Sequence, residues 1–130
     1  MMLATDPAHV TLCLDAHWMY RGADNSALAL FDIAKLYGRR ISELHLRQST
    51  TNVWTESLGD GDIDYLRLAQ YMAGIGIRPH LVLEQMPEKA TPNTMDAVES
   101  HRRSRRYVDR VFAALAAAPV ASPTSREGPS

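Results

Sequence analysis

Ile41-Ser42-Glu43-Leu44-His45-Leu46-Arg47 decides the fold. Leu44 and Leu46 alternate with Glu43, His45 and Arg47, the period of two expected of a strand whose faces meet different surroundings. Two other stretches share the pattern. In Val10-Thr11-Leu12-Cys13-Leu14-Asp15, Leu12 and Leu14 oppose Cys13 and Asp15. In His80-Leu81-Val82-Leu83-Glu84-Gln85, Leu81 and Leu83 oppose His80, Val82 and Glu84. The leucine faces suit covering helices. The opposite faces each carry an ionisable group near the C-terminal end of the strand: Asp15, His45 and Glu84.

Helical patterns lie between and after these strands. One runs over Ser26–Tyr37, with Asn25 or Ser26 as N-cap, Gly38 past its end, and Leu28, Phe31, Ala34 and Leu36 as its packing face. A second covers Ile63–Ala73, capped by Asp62 and stopped by Gly74 and Gly76, with Leu66, Ala69 and Met72 on one side. A third starts at Asn93 or Thr94 and reaches Ala117. Its apolar side holds Val98, His101, Tyr107, Val108, Val111, Phe112 and Leu115, and Arg102, Arg103, Arg106 and Arg110 lie opposite. The order is β-α-β-α-β-α, with strand spacings suited to right-handed crossovers and a parallel sheet. The expected class is α/β. Residues 1–9 read as an N-terminal extension, and the Pro/Ser/Gly-rich residues 118–130 as a disordered tail.

Composition narrows the function classes. The chain has 130 residues, 45% hydrophobic and 22% charged, as in a soluble globular protein. Fourteen basic residues against fifteen acidic ones give a net charge of -1, so no global positive field favours nucleic acid or an anionic membrane. The run Arg102-Arg103-Ser104-Arg105-Arg106 reads as a solvated helix face. A lone cysteine, Cys13, excludes an internal disulfide and suits a reducing compartment. No apolar run approaches the roughly 20 residues of a membrane span, and the N-terminus lacks a signal-peptide pattern, so the expected location is cytoplasmic.

Parity sends Asp15, His45 and Glu84 to one site at the C-terminal ends of the strands, where open α/β sheets and α/β barrels place ligands. Two carboxylates and one imidazole suit a divalent metal: Mn2+, Mg2+, Co2+ or Zn2+. Other features read more plainly. Asp60-Gly61-Asp62-Ile63-Asp64 is not a calcium loop, because the positions needing Gly and Glu hold Tyr65 and Tyr71. It reads as a glycine-permitted turn into a capped helix. Trp18 and Trp54 fall in expected strand-following loops, placed to wall a sugar ring. Glu43, one layer beneath His45, has no partner in the predicted elements; Cys13 reads as inward and inert, and His101 as a packing residue.

Four stretches in order, Leu14-Asp15-Ala16-His17-Trp18, Ile41–Arg47, Leu58-Gly59-Asp60-Gly61-Asp62-Ile63-Asp64 and Leu81-Val82-Leu83-Glu84-Gln85, resemble the sugar phosphate isomerase/epimerase family. These are the xylose-isomerase-like TIM barrels, related to the apurinic-endonuclease branch. The resemblance runs from about Val10 to Gln85, more loosely through the last helix. It implies that residues 10–117 form the C-terminal portion of such a barrel, a partial TIM (β/α)8 barrel of about three βα units. It also implies that Asp15, His45 and Glu84 are metal ligands, that a further Glu ligand comes from an earlier strand, and that Glu84 doubles as one of two proton-moving carboxylates. His17 matches approximately a substrate-contacting His, and Arg47 a basic residue after the metal His, expected to bind substrate by a hydroxyl or phosphate contact through its charged fork. Two departures stand out. The family often has Asp-x-x-His where this chain has Asp15-Ala16-His17, and many members have His-x-Lys-Asp where it has His45-Leu46-Arg47-Gln48.

The resemblance implies a metal-dependent isomerase or epimerase of a small sugar, sugar phosphate or polyol, moving a proton through an enediolate. Alternatives are a truncated, inactive remnant or partial subunit needing another chain, and a dehydratase or hydrolase of the same superfamily. A closed barrel takes eight strands and about 250 residues, so three units are expected to be inactive alone and to self-associate through open sheet edges.

Overall fold

The computed structural model describes residues 2–117, and the tail expected over 118–130 lies outside the described residues. Three strands, β1 (Leu12–Asp15), β2 (Ile41–Leu46) and β5 (His80–Leu83), form a parallel sheet in the order β1-β2-β5. A short antiparallel hairpin, β3 (Ser49–Thr50) with β4 (Val53–Trp54), follows β2. The helices are α1 (Ala16–Gly22), α2 (Ala27–Tyr37), α3 (Tyr65–Gly74), α4 (Ala97–Val111) and α5 (Ala113–Ala117). The α/β class with parallel strands is thus present.

Strand alternation builds the core on one face of the sheet. Leu14, Leu44 and Leu46 are buried in one cluster with Leu30, Ala34, Leu68, Met72 and Phe112 of the helical layer, and Leu81 and Leu83 pack against it. Burial of one such leucine contributes on the order of 1.5–3 kcal/mol. The opposite face carries two rows set by the register. Cys13, Glu43 and His80 lie side by side in one, and Asp15, His45 and Val82 in the next. None of these side chains is buried.

Several element boundaries differ from expectation for identifiable reasons. β2 ends at Leu46, not Arg47, because the buried Tyr65 hydroxyl takes both main-chain groups of Arg47, accepting from its N–H at 3.1 Å and donating to its carbonyl at 2.6 Å. The stretch after Asp15 is helical, not a loop: the Asp15 carboxylate accepts the Trp18 amide at 2.9 Å as the N-cap of α1. Ser26 caps α2 as expected, but Leu30, Phe31 and Ala34 are buried while Leu28 is 69% and Leu36 59% exposed. In α3 the cap is Asp64, not Asp62, and Leu68 replaces the exposed Leu66 on the inner face. The last helix starts at Ala97 behind Asp96 and breaks at Phe112, whose ring lies 6.2 Å from that of Tyr65 in the core. Val98 and His101 are on its overhanging first turns and are exposed, against the expectation that they pack. Ser104 takes the buried place instead; its hydroxyl accepts the Leu58 amide and donates to the Ser100 carbonyl, both at 2.8 Å.

The segment between β2 and α3 is held by polar side chains. At the tip of the β3–β4 hairpin both Thr51 and Asn52 have positive φ, 52° and 65°, as a two-residue type I′ turn requires. That conformation is costly for a β-branched residue. Asp62 holds it in place: one carboxylate oxygen accepts the Thr51 amide at 3.0 Å, and the other accepts the Asn52 amide at 2.8 Å and the Ser49 hydroxyl at 2.7 Å. Gly61 is needed for space, since a Cβ there would meet the Ser49 carbonyl oxygen at 2.3 Å. Gln48, fully buried, donates to the carbonyls of Gly59 and Ile63 and accepts the amides of Ser49 and Ile63. A carboxylate of the same shape has no protons to donate there. Gln48→Glu is therefore expected to destabilise the fold by at least about 2 kcal/mol, leaving two carbonyls unpaired beside a buried charge. Urea unfolding measures this, and a variant as stable as the parent contradicts the role given to Gln48.

Candidate metal centre

Asp15 is the last residue of β1, and His45 lies beside it in the register of β2. Glu84 follows β5, with its amide still donating to the Leu46 carbonyl at 3.0 Å. One donor atom from each of Asp15, His45 and Glu84 falls within 4.8 Å of the others. The expected convergence of these three side chains is thus present in the geometry. His45 Nδ1 lies 2.9 Å from Glu84 Oε2, and Nε2 lies 2.8 Å from Glu43 Oε1. An imidazole donates to both carboxylates only as the imidazolium, and these two hydrogen bonds raise the His45 pKa above its ordinary value.

The carboxylates titrate in opposite directions. Glu84 is held below the usual range by its hydrogen bond to His45, against burial, with the Arg47 charge helping. Asp15 is raised by burial and by the Glu84 charge, against the Trp18 amide hydrogen bond and the Arg47 charge. The two carboxylates are thus held in unlike environments beside the same histidine. The donor set of two carboxylate oxygens and one imidazole nitrogen suits a divalent ion, and Glu43 stands on the far ring nitrogen, where a carboxylate would orient the histidine if it ligated.

Glu43, left without a partner by the sequence pattern, has two. Besides His45 Nε2, its Oε1 accepts the Cys13 thiol at 3.3 Å. Cys13 is exposed, not enclosed by apolar neighbours as expected. The signal for both was available: they share strand parity with Asp15 and His45 and stand one row back.

The remaining expected site residues sit in different surroundings. Arg47 is 3% exposed; its Nε donates to the Glu84 carbonyl at 2.9 Å and its Nη2 lies 3.4 Å from Glu84 Oε1. The guanidinium lies over both tryptophans, 5.6 Å from the Trp18 ring centre and 4.2 Å from that of Trp54. Trp18, on α1, is 52% exposed and open to a solute, whereas Trp54 of β4 is buried with Arg21 also over its ring at 4.7 Å. His17 is fully buried. Its Nε2 lies 2.9 Å from the Ser49 hydroxyl, which donates to Asp62, so Nε2 carries the proton and Nδ1 is an acceptor with no partner among the described residues. Burial, with Arg21 and Arg47 adding repulsion, holds the His17 pKa down to about 4, and the ring is neutral. Adjoining cavities of about 420 and 350 Å³ lie along the segment after β5, bordered by Glu56, Pro92 and Met95, and neither is lined by Asp15, His45 or Glu84.

No family model, curated protein or solved structure matches this chain. No helix among the described residues is long and apolar enough to cross a membrane.

The support beneath His17 is testable through Asp62. Burial pushes its pKa up, but the Ser49 hydroxyl and the Asn52 and Thr51 amides outweigh that and hold it below the ordinary aspartate value. A carboxyl depressed in the folded state stabilises above its unfolded pKa, and the contribution is lost as pH falls through the folded value. Asp62→Asn is expected to cost about 1–3 kcal/mol at neutral pH, with the gap to the parent closing below about pH 3.9. Unfolding at several pH values checks this, and a gap independent of pH contradicts it.

Proposed function

We propose that this chain carries the metal-binding end of a xylose-isomerase-like barrel and, when completed by further strands, acts as a sugar or sugar phosphate isomerase or epimerase. The observation that carries the proposal is the gathering of Asp15, His45 and Glu84 donor atoms within 4.8 Å at the C-terminal ends of three successive parallel strands. Sequential strand order with the core on one face supports the barrel reading, since doubly wound sheets cover both faces.

Asp15, His45 and Glu84 would hold a divalent ion (Mn2+, Mg2+, Co2+ or Zn2+), which would supply Lewis-acid polarisation of a substrate oxygen. Glu84 is the proposed base. The Arg47 charge favours its ionised form, so it would take the proton from the carbon beside a substrate carbonyl and return it to the neighbouring carbon on the same face. Inversion at one carbon would need the second proton-moving carboxylate that the family resemblance implies. Arg47 acts as a positioning residue, gripping both the main chain and the carboxylate of Glu84. Trp18 offers an exposed aromatic surface for the apolar face of a sugar ring. His17, enclosed and neutral, acts as a support for the Trp54 side of the site, 6.0 Å from that ring and edge-on to it.

A second reading is favoured by the uncovered polar face. The outer edges of β1 and β5 pair with no strand among the described residues, so a further copy or another chain that covers the face would complete the site. Sedimentation distinguishes a working monomer from an assembly.

Calorimetric titration with Mn2+ and solvent-deuterium incorporation into ketoses test the primary proposal. The parent chain is expected to bind Mn2+, and Asp15→Asn and Glu84→Gln to bind at least about tenfold more weakly, a loss of 1.4 kcal/mol. Glu84→Gln is also expected to lower deuterium incorporation by about 100-fold or more. No binding at millimolar Mn2+ contradicts the metal reading. Binding without incorporation across ketoses and inososes by an assembled form contradicts the isomerase reading, and the same result from a monomer supports the incomplete-subunit reading.

A further inference from the structure

We propose that Cys13, Glu43 and the Nε2 of His45 form a second metal site, distinct from the Asp15–His45–Glu84 group and suited to a thiophilic ion of the Zn2+ class. The proposal does not rest on the isomerase reading. The register of β1 and β2 sets Cys13 directly beside Glu43. Cys13 Sγ lies 3.3 Å from Glu43 Oε1, and His45 Nε2 lies 2.8 Å from the same oxygen. One donor atom from each of the three residues falls within 4.8 Å of the others. The thiol is exposed, so an ion reaches it from solvent.

Donor chemistry separates the two groups. Sulfur, nitrogen and oxygen, one each, match the three-protein-ligand set that zinc accepts with a fourth position for water, whereas Mg2+ and Ca2+ take oxygen. Asp15 and Glu84 offer oxygen beside the same ring and suit the harder ion. Binding at the cysteine replaces the S–H bond by a sulfur–metal bond, with the thiol proton leaving to solvent.

His45 couples the groups. A neutral imidazole has one nitrogen lone pair, so the ring serves one ion at a time. When Nε2 ligates, Nδ1–H donates to Glu84, which becomes the orienting carboxylate. When Nδ1 ligates, Nε2–H donates to Glu43, and the roles exchange. A thiophilic ion on the Cys13 side therefore takes a ligand away from the Asp15–Glu84 side.

Cobalt(II) titration of the full chain tests this, read as the near-ultraviolet thiolate-to-cobalt charge-transfer band, with Mn2+ calorimetry reporting the other group separately. The parent chain and Asp15→Asn are expected to develop the band, saturating at one Co2+ per chain. Cys13→Ser is expected to lose it while keeping its Mn2+ binding. Glu43→Gln and His45→Gln are expected to weaken Co2+ binding at the thiol at least about tenfold. No band in the parent chain overturns the proposal, as does a band of undiminished affinity in Glu43→Gln and His45→Gln, which marks a thiol acting alone. The parent spectrum decides the matter if a variant fails to fold. A band with no Mn2+ binding leaves this site standing and removes the Asp15–His45–Glu84 reading, and Mn2+ binding with no band does the reverse.

Discussion

Side-chain alternation along three parallel strands is the constraint on which the rest depends. With Leu14, Leu44 and Leu46 committed to the core, the residues between them have one place to go. Cys13, Asp15, Glu43 and His45 are therefore gathered on the opposite face, in rows fixed by hydrogen-bonded register. A one-residue slip would send charged groups into the core and leucines to solvent. The same pairing that stabilises the sheet thus sets the spacing of the candidate ligands. Parallel sheets are ordinarily covered on both faces, and the polar face here remains half-open, which is what gives those ligands access to a solute.

Behind that face, polar side chains hold the loops that frame it. Gln48, Tyr65 and Asp62 each make several hydrogen bonds to main-chain groups that lie outside regular elements. Their contribution is specificity of position more than raw stability, because each neutral hydrogen bond nets only about 1 kcal/mol while an orphaned group costs more. The Gln48 amide is committed to the loop before α3 through the carbonyls of Gly59 and Ile63. Arg47, one residue earlier, lies against Glu84 and two tryptophans. Neighbouring residues at the end of β2 therefore divide the work, one bracing the loop and the other holding the charge.

The strands, their order, and the convergence of Asp15, His45 and Glu84 were legible because period-two alternation depends on few neighbours. The helix faces were less so. Leu28, Leu36, Leu66 and Val98 look like core residues by type, but rotation and overhang of each helix are set by tertiary packing, which put Leu30, Leu68 and Ser104 inside instead. The helix after Asp15 escaped notice because a seven-residue segment has too short a period to read, and its capping carboxylate doubles as a candidate ligand. The hairpin after β2 carries Thr51 where glycine or asparagine would signal a turn, and the compensating contact comes from Asp62, remote in sequence. Cys13 and Glu43 lay on the right face by parity. Their pairing depends on register between strands, which alternation alone does not supply.

The most direct test of the central claim is a crystal structure of the chain grown with Mn2+, with the ion located by its anomalous scattering. The account predicts one peak bounded by Asp15, His45 Nδ1 and Glu84 at direct-coordination distance, with Nε2 of the ring turned to Glu43. A structure at saturating Mn2+ with His45 still bridging Glu43 and Glu84 and no peak between Asp15 and Glu84 would contradict it.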